Sequence, residues 1–259
     1  MHPIAPGVAV TEYNEIILSK TGHTSTVTLN RPNSLNSITP TMLGELNDAT
    51  AALEADNDTR FVVLTGQGRA FSGGVDLKAL GERELVNGKV GDILDIPARE
   101  LTGRLSSMSK VTIAKVNGFC FTGALEIAMA CDVMAVADEA KLGDTHAKFG
   151  LRPTWGLSQR LPALVGPARA RELSFSARVF SGVEAREWGM AALGGPLDQL
   201  DQIVSDFLDS MSANSSESFA AYKDLYGATE RLSMRDGLDF ESGSEYSISD
   251  TAERLAEFR

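Results

Sequence analysis

Residues 116–132 read VNGFCFTGALEIAMACD, which puts a glycine turn, Thr122-Gly123-Ala124, directly ahead of an apolar segment carrying a single acid, Glu126. The N–H groups of a helix's first turn have no intrahelical partner and attract negative charge, and a glycine among them leaves no side chain between the backbone and a reacting oxygen. Such a turn is half of an oxyanion hole. Residues 68–77, GRAFSGGVDL, offer another glycine-rich turn after the strand-like stretch 61–65 and supply the other half. Two such turns point to carbonyl or thioester chemistry. Taken singly, each also reads as a tight turn that needs positive φ. Neither is a phosphate loop: no Gly-Lys-Ser/Thr follows, and Gly66-x-Gly68 lacks the third glycine of a dinucleotide fingerprint.

Extended and helical signals alternate along the chain. Residues 15–18 and 25–29 are rich in β-branched and aliphatic side chains, and Lys20-Thr21-Gly22-His23 between them reads as a hairpin turn. Thr39 followed by Pro40 predicts a capped helix running to about Ala55. Strand signals recur at 61–65, 111–116 and 133–137 with helical material between, the pattern of an α/β fold with crossover connections. From about Asp198 the signals are helical only, at 200–211, 216–225, 229–238 and 246–258. The expected organisation is a core over 1–197 and a helical region over 198–259.

With 259 residues and 43% hydrophobic content, the chain can bury a substantial core as one main domain with an appendage. No apolar run reaches the roughly 18–20 residues of a membrane span. The start, MHPIAPGVAVTEYNE, lacks the basic-then-apolar pattern of a signal peptide, so a cytoplasmic location is expected. Cys120 and Cys131 lie in the apolar segment around Glu126 with no ligand spacing, and buried thiols are expected rather than a disulfide or a metal site. A formal charge of −11 argues against nucleic-acid or anionic-membrane partners, while leaving room for a small basic pocket for phosphates.

At these residues the chain resembles the crotonase superfamily, the enoyl-CoA hydratase/isomerase fold. The family pattern is roughly AF-x-x-G-A-D-[LI]-K for the first turn and A-V-N-G-x-x-x-G-G-G-x-E-L-A-x-x-C-D for the second, and residues 70–78 and 115–132 match it closely. LNRPNSLNS at 29–37, GLSQRLPALVG at 156–166 and SGVEAREWGMA at 181–191 match further, in the family's order. The resemblance implies an α/β spiral of ββα turns with a C-terminal helical region for oligomerisation, as a homotrimer or a dimer of trimers. It also implies an acyl-CoA substrate, with no tightly bound cofactor, because the coenzyme A thioester itself supplies the activation.

Carried over position by position, the oxyanion donors are the backbone N–H groups of Val75 and Gly123. Removing one such donor typically costs about 3–4 kcal/mol of barrier. Val75 stands where the family more often has alanine, and Ala124 where it has a third glycine. The coenzyme would lie along Asn33, Ser34 and Leu35 and along the backbone from Ala70 through Ser72, Gly73, Gly74 and Asp76 to Leu77. Lys78 reads either as a phosphate contact or as a solvated surface lysine. Ala124 and Thr145, next to the reacting groups, complete the expected substrate contacts.

Glu126 matches one of the two acids that the family's hydratases use around the reacting water. A carboxylate in a partly apolar site has its pKa raised toward the working pH, which suits proton transfer. Twenty positions further on, where the family carries its second acid, this chain has His146, in GDTHAKFG. A histidine holds water and exchanges protons near neutral pH. It also reads as pocket lining, with hydration weak or lost. Asp144 would either orient the ring or stand in for the missing carboxylate, although side chains two apart in a helix point apart. The expected reaction is addition of water to a 2-enoyl-CoA to give a 3-hydroxyacyl-CoA. The competing readings are isomerisation, decarboxylation or thioester hydrolysis on the same fold, and a catalytically silent acyl-CoA binder.

Overall fold

The computed structural model describes residues 9–78, 81 and 86–256. Residues 1–8, part of the stretch read for a signal peptide, and Phe258, the expected end of the last helix, lie outside them.

β1 (Ala9–Glu12), β2 (Ile16–Thr21) and β3 (Thr24–Leu29) form an antiparallel meander. Its turn is tighter than the expected four residues. Lys20 and Thr21 remain in β2, paired with Ser25 and Thr24, and only Gly22 and His23 turn, with Gly22 at φ +56. α1 (Pro40–Ala55) forms as its sequence predicts: the Thr39 hydroxyl accepts from the Met42 N–H at 3.0 Å, and Pro40 occupies the first turn.

After this entry the chain repeats one move. Each coil lays a strand in a long sheet, then a short strand in a second sheet, and returns through a helix or loop. β4 (Phe61–Gly66) and β5 (Ala70–Ser72) lead to α2 (Asp92–Ser107). β6 (Val111–Val116) and β7 (Phe119–Phe121) lead to α3 (Gly123–Ala128). β8 (Val133–Ala137) and β9 (Lys141–Gly143) lead to α4 (Leu157–Val165) and α5 (Pro167–Ser176). β10 (Phe180–Ser181), α6 (Gly182–Glu187) and β11 (Leu193–Gly195) finish the spiral. The long sheet runs β1-β2-β3-β4-β6-β8-β11, parallel from β3 onward, and the short one β10-β9-β7-β5. This is the ββα spiral implied by the resemblance. Every residue of β4 is buried, and so are five of the six in β6, as expected of parallel strands covered on both faces. Cys120 is buried and Cys131 half-buried, both as free thiols.

Beyond Leu200 the regular elements among the described residues are all helices. α7 (Leu200–Ser212) and α8 (Ser216–Ala228) agree with expectation. α9 (Met234–Gly243) and α10 (Thr251–Ala256) begin about five residues later than expected. Ser233 starts α9 by capping the Asp236 N–H at 3.3 Å, while Tyr246 reaches Asp224 at 2.8 Å and Ser249 binds Glu217, holding 246–249 off a helical path. Serine and aspartate side chains compete with helical backbone bonding in this way. α8 is fastened to the core: Lys223 Nζ donates to Asp132 Oδ2 at 2.7 Å, and the Phe219 ring lies 6.4 Å from that of Phe61. No helix among the described residues is long and apolar enough to cross a membrane.

Candidate active site

β5 and β7 are neighbours in the short sheet, so the turns that follow them emerge side by side. Gly74 is at φ +92, and a Cβ there would come within 2.9 Å of the Phe121 carbonyl, so the turn needs glycine for its dihedral and for its closeness. Ile38 donates to the Gly74 carbonyl at 2.8 Å and accepts from the Asp76 N–H at 2.9 Å. The bridge uses both neighbours of Val75 and leaves the Val75 N–H without an acceptor among the described residues.

The second turn is strained. Thr122 sits at φ 53, ψ −114, a region that β-branched residues avoid. Its N–H is fixed to the Gly143 carbonyl at 2.9 Å, and its hydroxyl pairs with that of Thr145 at 2.9 Å. Gly123 then opens α3 with no side-chain cap, and its N–H too has no acceptor among the described residues. Two adjacent turns thus each present an uncommitted N–H, one of them held by backbone strain.

Glu126, on α3, is buried. Its Oε1 accepts from the N–H groups of Trp155 at 2.9 Å and Leu157 at 3.1 Å, which leaves Oε2 facing His146. Burial pushes its pKa above the ordinary glutamate value, with the Asp144 charge acting in the same direction; the two backbone bonds and His146 oppose the rise without cancelling it. His146 is anchored in the complementary way. Its Nδ1 lies 2.7 Å from Asp144 Oδ1, and its Nε2 lies 3.6 Å from Glu126 Oε2. Burial alone would raise the Asp144 pKa, but hydrogen bonds from His146 and Ser174 outweigh it and hold the carboxyl below its ordinary value. An ionised carboxylate only accepts, so Asp144 takes a hydrogen bond from Nδ1–H and Nε2 is left facing Glu126. Each of the two central groups therefore has one end tied and one end facing the other.

The helical geometry considered for Asp144 and His146 is corrected here. Asp144 and Thr145 lie in irregular backbone after β9, and His146 only begins the 3-10 turn Ala147–Phe149. Asp144 Oδ1 accepts from the His146 N–H at 3.2 Å, and this side-chain turn onto the backbone two residues on brings the carboxylate to the ring. It sits on the opposite ring nitrogen from Glu126.

The expected coenzyme residues fall into three groups. The Gly73 N–H donates to the Leu35 carbonyl at 2.8 Å, which joins the segment of exposed Asn33 and Ser34 to the first glycine turn. Leu77 and Lys78 are exposed beyond that turn, and Asp76 pairs with Arg31 at 3.0 Å. Ala70, Ser72 and Ala124 are buried; the Ser72 hydroxyl accepts from the Gly74 N–H at 3.2 Å, and the Ala70 carbonyl accepts from Asn36 at 2.8 Å. These three build the walls behind the site.

Several residues went unread in the sequence. Buried Asn36 also bonds the Gln67 carbonyl, at 3.0 Å, and so pins the 31–37 loop to the first turn. Trp155 is buried beside Gly123, and its indole N–H donates to buried Asp95 at 2.8 Å. Asn36 had a usable signal, since it falls inside the LNRPNSLNS match. Trp155 and Asp95 meet only because the spiral brings α2 against the segment before α4.

The family sequence model described as "Enoyl-CoA hydratase/isomerase" matches residues 20–257. A "Probable enoyl-CoA hydratase 1, peroxisomal" from Arabidopsis thaliana is 38% identical over 160 residues, which is 62% of this chain and 58% of the relative's length. The "Short-chain-enoyl-CoA hydratase" of Clostridium acetobutylicum is 30% identical over 251 residues, 95% of each chain. Among solved structures, an enoyl-CoA hydratase subunit from Geobacillus kaustophilus superposes with TM-score 0.85 at 25% identity over 96% of both chains. A putative enoyl-CoA hydratase from Thermobifida fusca in complex with acetoacetyl-CoA does so with TM-score 0.79 at 27% identity, over 94% of this chain and 95% of the other. The architecture is the crotonase fold, an enzyme scaffold. Within it, this chain belongs to the enoyl-CoA hydratase/isomerase family.

Proposed function

We propose that the protein is an enoyl-CoA hydratase, adding water across the 2,3 double bond of a 2-enoyl-CoA to give a 3-hydroxyacyl-CoA. The observation that carries the reading is the mutual approach of Glu126 Oε2 and His146 Nε2 at 3.6 Å, each locked at its other end. A water in contact with both is held for attack on C3. As its oxygen bonds to C3, the C2–C3 π electrons move toward the thioester carbonyl, and the negative charge on that oxygen is met by the Val75 and Gly123 N–H groups. Such donors stabilise the enolate more than the ground state. The Glu126–His146 pair takes up the proton released by the water and returns a proton to C2, so both groups end the turnover as they began.

The coenzyme is assigned to the surface formed by Asn33, Ser34 and Leu35 with the first glycine turn, and Lys78 to a phosphate. The acetoacetyl-CoA complex of the Thermobifida fusca relative supports an acyl-CoA ligand. A trimer, or a dimer of trimers, accounts for the apolar side chains that α8 to α10 expose, among them Tyr226 at 67% and Met234 at 82%.

The test is a coupled assay over a panel of 2-enoyl-CoA and 3-hydroxyacyl-CoA thioesters. Interconversion of the two with the thioester intact is expected. A protein that binds these thioesters and turns over none of them would be the silent binder.

A further inference from the structure

His146 and Arg152 line the same cavity. The Leu151 N–H donates back to the His146 carbonyl at 2.9 Å, closing residues 146–151 into a compact loop, and Arg152 follows directly. The cavity has a volume of about 420 Å³, and its walls include parts of α4 and α5. Leu157 and Leu161 give it an apolar side, and the Leu157 N–H binds Glu126, so the cavity adjoins the reacting pair. Arg171, Ser158 and Ser174 line it as well. A second cavity, of about 340 Å³, shares Arg152, Pro153 and Ser158 with the first, so Arg152 faces both.

Arg152 is held in place by a turn. Its backbone N–H donates to the Gly88 carbonyl at 2.9 Å and its Nε to the Asn87 carbonyl at 3.2 Å. Asn87 and Gly88 lie at φ +56 and +68, the pair of positive values that an Asn-Gly turn adopts. With Nε tied, Nη1 and Nη2 have no acceptor among the described residues. These two nitrogens form a planar fork that matches the two oxygens of a carboxylate. Among the described residues the first cavity sets Arg152 and Arg171 against one acid, Asp144, which already accepts from His146 and Ser174. The second sets Lys89, Arg99 and Arg152 against Asp92 and Asp95, and Asp95 Oδ1 already accepts from Trp155 and Thr154. In a chain of net charge −11, this excess of cations is local to the cavities.

We propose that Arg152 recognises a carboxylate at the far end of the acyl chain, so that the preferred substrates are 2-enoyl-CoAs derived from dicarboxylic acids. The thioester lies at the glycine turns, the methylenes run over Leu157 and Leu161, and the free carboxylate meets the Arg152 fork, with Arg171 adding positive charge. Arg152 and Arg171 are exposed, so the carboxylate keeps part of its hydration and the pairing weakens with added salt. The inference rests on the acyl-CoA reading above.

Arg152→Gln removes the charge and the fork, and Arg152→Lys keeps the charge alone. The parent and both variants are compared on carboxylate-ended and methyl-ended thioesters matched in length over a series of chain lengths. The enoyl forms are read by kcat/KM, and the saturated forms and free coenzyme A by calorimetric affinity. At chain lengths that reach the fork, the parent is expected to favour the carboxylate series by on the order of tenfold, Arg152→Gln to lose that preference, and Arg152→Lys to lie between. A parent that binds with this preference but hydrates neither series overturns the hydratase reading and leaves the carboxylate site standing. A parent with no preference at any length, or Arg152→Gln with the parent's preference unchanged, overturns the carboxylate site. So does an Arg152→Gln that weakens free coenzyme A and both series alike, which would put Arg152 on a coenzyme phosphate.

Discussion

Glu126→Gln is expected to lower kcat by about a hundredfold or more and to leave acyl-CoA affinity nearly unchanged, since glutamine keeps the shape and an Oε1 acceptor but exchanges no proton. The Oε1 bonds to Trp155 and Leu157 at 2.9 and 3.1 Å fix this side chain and survive the change. A stability measurement accompanies the kinetics. Burial raises the Glu126 pKa, so the folded protein binds this proton more tightly than the unfolded chain does. The unfolded chain therefore loses the proton first as pH rises, and the parent's stability falls from the ordinary glutamate pKa up through the raised one. Glutamine carries no such penalty. The Tm of Glu126→Gln relative to the parent should rise with pH across that window. A variant with near-parental turnover removes Glu126 from the chemistry, and one whose Tm falls further below the parent with rising pH contradicts the buried-acid account.

His146→Ala is expected to lose most turnover, by about a hundredfold or more, while acyl-CoA binding through the two glycine turns persists. His146→Glu restores two acids and is expected to retain or raise activity. Its limit is Asp144, whose carboxyl is held ionised and would raise the new acid's pKa by repulsion. Turnover in His146→Ala equal to the parent's would make the ring pocket lining.

The sequence carried the two turns and α1 because their signals are local. Thr39 and Pro40 mark a helix start within two residues, and the glycines of the two turns stand in short, recognisable motifs, Gly74 against the Phe121 carbonyl and Gly123 against the Trp155 ring. The long parallel strands were equally plain from their apolar runs. α9 and α10 were placed about five residues early because nothing apolar in 229–250 outvotes the capping chemistry of Ser233 or the long-range grip of Glu217 on Ser249. The site was half legible. Glu126 and His146 follow from position in the family motifs, but the reach of Asp144 to the ring depends on irregular backbone after β9 that no local signal marks. Trp155 and Asp95 are sixty residues apart in sequence, and no spacing rule links them before the fold does.

The central claim, that Glu126 and His146 add water to an enoyl thioester, is tested most directly by following the oxygen of the water. The parent is incubated with a straight-chain 2-enoyl-CoA in heavy-oxygen water and the products are read by mass spectrometry. Label at C3 of an intact 3-hydroxyacyl-CoA, abolished in Glu126→Gln, is the result this account requires. Label appearing instead in a free carboxylic acid, or a shifted double bond with no label, would contradict it.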